Sequence, residues 1–154
     1  MANPIPPGTT SITPHLIVRN APAALDFYAR AFGATEVLRM QGPDGSIVHA
    51  EIQIGNARVY LAEENQQMGA PSPQSLGGSA VLVMHYVDRV DDVFKNATDA
   101  GAKPVTPPMD MFWGDRWSLI EDPFGHKWEI ATHLEDLTPA QMQERAKAAR
   151  PAHS

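Results

Sequence analysis

Apolar residues recur along this chain first with the period of a strand, then of a helix, then of strands again, and the whole cycle runs twice. Ile12-Thr-Pro-His-Leu-Ile-Val18 predicts a strand. Pro14 inside it points to a sheet edge or a bulge, because proline donates no ladder hydrogen bond. Asn20 is placed to cap the next helix and Pro22 sits in its first turn, where a missing N–H costs little. Leu25, Phe27, Tyr28, Ala31 and Phe32 form its apolar face, and Gly33 suits a left-handed stop. After a turn at Gly42-Pro-Asp-Gly45, Ile47 to Ile54 alternates. Ala50, Ile52 and Ile54 share one face, and His49, Glu51 and Gln53 the other. Gly55-Asn56 turns the chain into Ala57–Ala62 and closes a hairpin.

The second cycle follows a polar Pro/Gly/Ser stretch over 65–78. Val81–Val87 predicts a strand, Asp88 a cap, and Val90, Val93, Phe94 and Ala97 a helix that Gly101 ends. Trp117–Glu121 and Lys127–Ala131 are two strands joined by Asp122-Pro-Phe-Gly-His126, and Thr138-Pro-Ala-Gln141 is a capping box opening a last helix. Val18 recurs as Val87, Gly33 as Gly101, and Arg58-Val-Tyr-Leu61 as Lys127-Trp-Glu-Ile130, at a nearly constant spacing. Such self-similarity marks an internal repeat. It divides the chain into an N-terminal arm (1–11), a first module (12–64), a linker (65–78), a second module (79–133) and a helical tail (134–154).

Composition narrows the chemistry. With 154 residues, 43% hydrophobic and 19% charged, the chain has material for an ordinary core. It contains no cysteine, which excludes disulfides, thiolate metal sites and cysteine nucleophiles. A net charge of −6 offers no footprint for nucleic acid. No apolar run is long enough to span a membrane, and the first residues lack the basic and apolar regions of a signal peptide. The expected setting is cytoplasmic, with no nucleic-acid or membrane partner.

Two further stretches carry a family resemblance. Glu121-Asp-Pro-Phe-Gly-His-Lys-Trp-Glu-Ile130 and Leu25-Asp-Phe-Tyr-Ala-Arg-Ala-Phe-Gly33 resemble the last hairpin and first helix of the glyoxalase/bleomycin resistance/extradiol dioxygenase (vicinal oxygen chelate) superfamily. The resemblance covers residues 12–133. It implies an α+β fold in which two tandem βαβββ modules form a cupped, barrel-like mixed sheet with helices on the convex side. It also implies a site in the cup and pairing as a homodimer.

Catalytic members of that superfamily hold a divalent metal on the first and last strands of each module. Carried over by motif, those positions are Thr13, Tyr60, Leu82 and Glu129. Only Glu129 is an ordinary metal ligand, and Leu82 has no donor atom. Glu129 is therefore the candidate catalytic residue, with no metal ligand set and no cofactor expected. His15, His49, Glu51, Tyr60, Met84, Tyr86, Trp113 and Arg116 are candidate ligand-binding residues, a mixture of apolar, aromatic and a few polar groups that suits a small-molecule cavity. His85 has the opposite parity to Met84 and Tyr86 and is expected to face helices or solvent. Phe112–Asp115 is the candidate mobile rim, with Gly114 as its bend.

Three functions follow from this reading. The leading one is a protein that binds or transforms a small molecule without the usual metal site; as an enzyme it would be a glyoxalase-like lyase or isomerase. The alternative is a metal-dependent lyase or isomerase that uses Glu129 with a non-standard ligand set drawn from His15, His49 and Glu51. The third is a scaffold with no ligand.

Overall fold

The computed structural model describes residues 2–149. The first module is β1 (His15–Val18), α1 (Ala21–Phe32), β2 (Thr35–Gln41), β3 (Ile47–Ile54) and β4 (Ala57–Glu63). The second is β5 (Leu82–Tyr86), α3 (Val90–Asp99), β6 (Lys103–Asp110), β7 (Asp115–Glu121) and β8 (Lys127–His133). Between them lie a short 3₁₀ turn (Gln66–Met68) and α2 (Pro73–Leu76); α4 (Pro139–Ala149) ends the described chain. Each module makes one four-stranded sheet, in the orders β1-β4-β3-β2 and β5-β8-β7-β6. β1 runs parallel to β4 and β5 to β8, and every other pair is antiparallel. The repeat extends to register: His15 lies beside Tyr60 as Met84 lies beside Glu129.

Local signals decide most element ends. The Asn20 side chain accepts from Ala23 N, while the Glu63 carboxylate accepts from the Asn20 and Ala21 N–H groups. A carboxylate at this end also complements the helix dipole. Gly33 closes α1 at φ +69°. Pro14 lies just outside β1, where its carbonyl accepts from Tyr60 N at 2.9 Å and its missing donor costs nothing. The capping box at Thr138 forms reciprocally with Gln141.

Two expectations need correction. Asp88 does not cap α3: the Val90 N–H is taken by Thr132 Oγ1 at 2.9 Å, a side chain from β8. And a strand, β6, runs through Pro104, Pro107 and Pro108, where the hydrophobic pattern predicts no element. It is the outermost strand of its sheet and its register is broken twice, so the missing N–H groups fall where no partner needs them.

The helices form a layer between the two sheets. α1 packs on β3 and β4, and α3 on β6, β7 and β8, while α1 and α3 pack on each other. The far side of α1 reaches the second sheet, where the Phe32 ring lies 4.8 Å from Trp128 and 5.1 Å from His85. Trp128 is 1% exposed and Glu129 points the other way, as alternation along β8 predicted. Each sheet thus carries helices on one face, as the resemblance implied. A single barrel-like sheet is not formed, because no edge strand of one sheet pairs with the other.

Asp122, in the β7–β8 turn, joins the modules. Its carboxylate accepts from the Tyr28 hydroxyl of α1, from Trp128 Nε1 at 2.9 Å, and from the Phe124 and His126 backbone N–H groups at 2.9 Å each. Burial, and then the facing carboxylate, push the Tyr28 hydroxyl well above its ordinary pKa, so it stays a donor. His126 completes the junction, its Nε2 2.9 Å from the Ile17 carbonyl of β1. Tyr28→Phe removes one bond to a charged acceptor and is expected to lower stability by about 1.5–3 kcal/mol in urea unfolding. Asp122→Ala is expected to cost more, because four donors lose their acceptor together.

Candidate functional site

The face of each sheet that carries no helix holds one group of candidate residues. On the first sheet, period-two alternation brings His15, His49, Glu51 and Tyr60 together. The ring centroids of His15 lie 5.8 Å from both His49 and Tyr60, and those of His49 and Tyr60 are 4.9 Å apart. His49 Nε2 is 3.0 Å from Glu51 Oε2, and Arg58 Nη1 donates to Glu51 Oε1 at 3.0 Å. Burial opposes ionisation of Glu51, but the bonds from His49 and Arg58 outweigh it and hold its pKa below the ordinary value. Burial, and then the neighbouring His49, lower the pKa of His15. Beside this cluster lies a cleft of about 640 Å³, lined by His15, Ile17, Val48, Ala62, Asn65 and Met68 among others. Arg58 escaped the sequence reading, although it shares the parity of Tyr60 and stands opposite Gln53 in the β3–β4 hairpin.

On the second sheet, Met84 and Tyr86 project from β5 and Glu129 from β8. Trp117, not singled out from sequence, donates its indole N–H to Glu129 Oε1 at 3.0 Å. Asp115 is 2% exposed and gathers three partners: the Tyr86 hydroxyl at 2.8 Å, Trp113 Nε1 at 3.1 Å and His133 Nδ1 at 2.8 Å. The second nitrogen of His133 meets Asp136 at 2.8 Å. The Trp113 and Trp117 rings stand 6.2 Å apart at 72°. Here the signal was parity: Trp117 faces Ala131 and Leu119 faces Glu129 across the β7–β8 pair, which puts Trp117 on the Glu129 face.

The same parity corrects Arg116. It lies on the helix side of β7, not at the rim of a cup. Its guanidinium forms a two-point bond to Asp91 of α3, at 2.8 and 3.0 Å, and a third bond to Asp110 at 3.0 Å. A groove of about 360 Å³ beside it is lined by Asp88, Asp91 and Asp92 among others. Phe112–Asp115 is also not free to bend as expected. Gly114 has φ +98°, its carbonyl accepts from Leu134 N and Glu135 N, and a Cβ added there would stand 2.5 Å from Glu135 O.

Among the described residues, no hydrogen bond or ring contact joins the two clusters. The helix layer separates the faces that bear them. The four motif positions of a metal site do not fit a metal either. Leu82 has no donor atom, Tyr60 packs on the two histidine rings, and Tyr60 and Glu129 stand on different sheets. No group of three or more carboxylate or histidine side chains among the described residues converges on one point.

Comparison with known proteins agrees with this architecture. The sequence matches the Glyoxalase/Bleomycin resistance protein/Dioxygenase superfamily over residues 10–130. The chain belongs to that superfamily. Proteins of Mycobacterium bovis and Mycobacterium tuberculosis, described only as uncharacterized, are 40% identical over 136 residues; the match covers 86% of this chain and 90% and 80% of theirs. The crystal structure of TioX from Micromonospora sp. ML1 is similar with a TM-score of 0.64 and 33% identity, over 81% of this chain and 99% of that one. The fosfomycin resistance protein FosX from Mesorhizobium loti, 16% identical, shares the fold at a TM-score of 0.61 over 87% of this chain and 97% of its own. No helix among the described residues is long and apolar enough to cross a membrane.

Two predictions concern the rim. Gly114→Ala is expected to lower stability by about 1–3 kcal/mol, because it combines a strained φ with a backbone clash; thermal unfolding measures it. Hydrogen bonds to Asp115, then to Asp136, raise the pKa of His133. The stabilisation this supplies is full below the unfolded value of about 6.5 and is lost as pH rises through the higher folded value. Amide protection factors over 111–115, in which the base-catalysed intrinsic rate is divided out, are therefore expected to be lower at pH 9 than at pH 6, and His133→Ala to remove the difference.

Proposed function

We propose that this chain is a small-molecule-binding protein whose cavity is completed by a second copy, the first-sheet face of one protomer closing over the second-sheet face of its partner. The observation that carries this reading is the placement of the helix layer between the sheets. It leaves both candidate faces free of α1 and α3, and the second presents Leu82 at 47% and Tyr86 at 56% exposure. Exposed apolar area gathered on one face marks a binding or association surface, and here it surrounds the polar groups the resemblance singles out. Pairing across a two-fold axis would form two equivalent cups.

Binding without a resident metal is the reading the residues favour. A partner's first-sheet face would bring Tyr60 toward Glu129 but adds no donor at position 82. Glu129 is the group on this face best placed to act on a bound molecule, through an oxygen that the indole of Trp117 does not occupy. A glyoxalase-like lyase or isomerase reaction would call on it as the proton acceptor.

Light scattering is expected to give twice the 16.8 kDa chain mass at micromolar concentration. Leu82→Glu is expected to shift it to monomer and to abolish ligand binding in the same step. A monomeric parent protein overturns the composite cavity. Elemental analysis after dialysis is expected to find less than one equivalent of Zn²⁺, Ni²⁺ or Fe²⁺. A full equivalent that Glu129→Gln removes would favour the metal-dependent reaction instead.

A further inference from the structure

We infer that the molecule bound on the second-sheet face is a planar aromatic cation, with Glu129 as its counter-ion and the Trp113–Trp117 corner as its stacking surface. This rests on the small-molecule reading above and specifies the charge and shape of the ligand.

Arg116 of β7 is held on the opposite side of the sheet by three hydrogen bonds to Asp91 and Asp110. The remaining cations of the face are peripheral or engaged. His133 is held between Asp115 and Asp136. Lys127 stands at the turn end of β8, opposite Glu121 and Leu82, and forms no ion pair among the described residues. An organic anion would therefore meet one lysine, on the same face at the far end of β8 from Trp117, and no free arginine or histidine beside the indoles.

The anionic side is better built. Glu129 lies on β8 between Met84 of β5 and Leu119 of β7, at the middle of the face. Its one hydrogen bond among the described residues is from Trp117 Nε1 to Oε1, which leaves Oε2 for a ligand. The other indole is tied in the same way, Trp113 Nε1 to Asp115. Both N–H edges are thus turned onto carboxylates, and what the two rings have left to offer is their π faces, set at 72° to each other. An indole face attracts a cation by about 0.5–1 kcal/mol at an exposed site and about 2 where water is excluded. The same faces stack on a planar body. Tyr86, whose hydroxyl is also committed to Asp115, adds a third ring to the wall.

The opposing face that a second copy would supply does not reverse this balance. Arg58 there is already bonded to Glu51 and Gln53, and Glu51 also holds His49. His15 has its pKa lowered by burial and by His49, which favours a neutral ring. The net charge of −6 on the chain adds a long-range attraction of the same sign.

The test uses three acridines of nearly one shape at pH 7.5: 9-aminoacridine, a cation; acridine, neutral; and acridine-9-carboxylate, an anion. Affinity is read from tryptophan quenching and titration calorimetry on the full-length dimer. The cation is expected to bind at least tenfold more tightly than acridine, about 1.4 kcal/mol, and the anion more weakly than either. Glu129→Gln keeps an acceptor for Trp117 and is expected to erase the tenfold preference of cation over neutral acridine. Asp99→Asn, at the exposed end of α3, makes the same change in net charge away from the face and is expected to leave the preference intact. If Asp99→Asn erases the preference as well, bulk charge and not Glu129 is responsible, and the proposal falls. Equal or tighter binding of the carboxylate overturns the inference and leaves the cavity reading standing. Failure of all three to bind a dimeric protein overturns the inference; a monomeric protein overturns the cavity reading with it.

Discussion

Asp122 is 3% exposed, and four donors from three parts of the chain converge on its carboxylate. A buried charge of this kind is tolerable only when its hydrogen bonds are met. Meeting them requires α1 of the first module to lie against the last hairpin of the second. That requirement places the helix layer between the sheets, with Phe32 on Trp128 and α1 on α3. The rest of the molecule follows from it. The apolar face of α1 is used on both sides, and among the described residues neither α1 nor α3 covers the opposite face of either sheet.

Function is shaped by that arrangement more than by any single side chain. In a closed barrel the His15–His49–Tyr60 cluster and the Tyr86–Trp117–Glu129 cluster would face each other across one cup. Here they are turned apart, and a cavity that uses both needs two chains. Such a site depends on protein concentration as well as on residues, since association is part of its assembly. The polar groups are also arranged unequally. The first face is a closed set of mutual bonds among Arg58, Glu51 and His49, and the second presents carboxylates to aromatic edges.

Much of this was legible in the linear chain. The tandem repeat, the caps at Asn20 and Gly33, the hairpin at Gly55-Asn56 and the opposite directions of Trp128 and Glu129 all depend on neighbours a few residues away, where periodicity and turn chemistry decide. The grouping of His49 with Glu51, and of both with His15 and Tyr60, followed from alternation once the repeat was seen. β6 was missed because its three prolines argue against a strand everywhere except at an outer edge, and edge position is a property of the sheet.

What the sequence by itself determined, then, was the module, its duplication and the side of each strand on which most candidate residues stand. The tertiary structure alone decided where those sides point. Arg116 was read as a ligand group, but its partner Asp91 lies on a helix that only folding brings beside β7. His133 carried no signal until Asp115 was found beneath it. The choice between one shared cup and two outward faces rests on contacts between α1 and the last hairpin, residues 28 and 122 among them, so distant along the chain that no local pattern records their meeting.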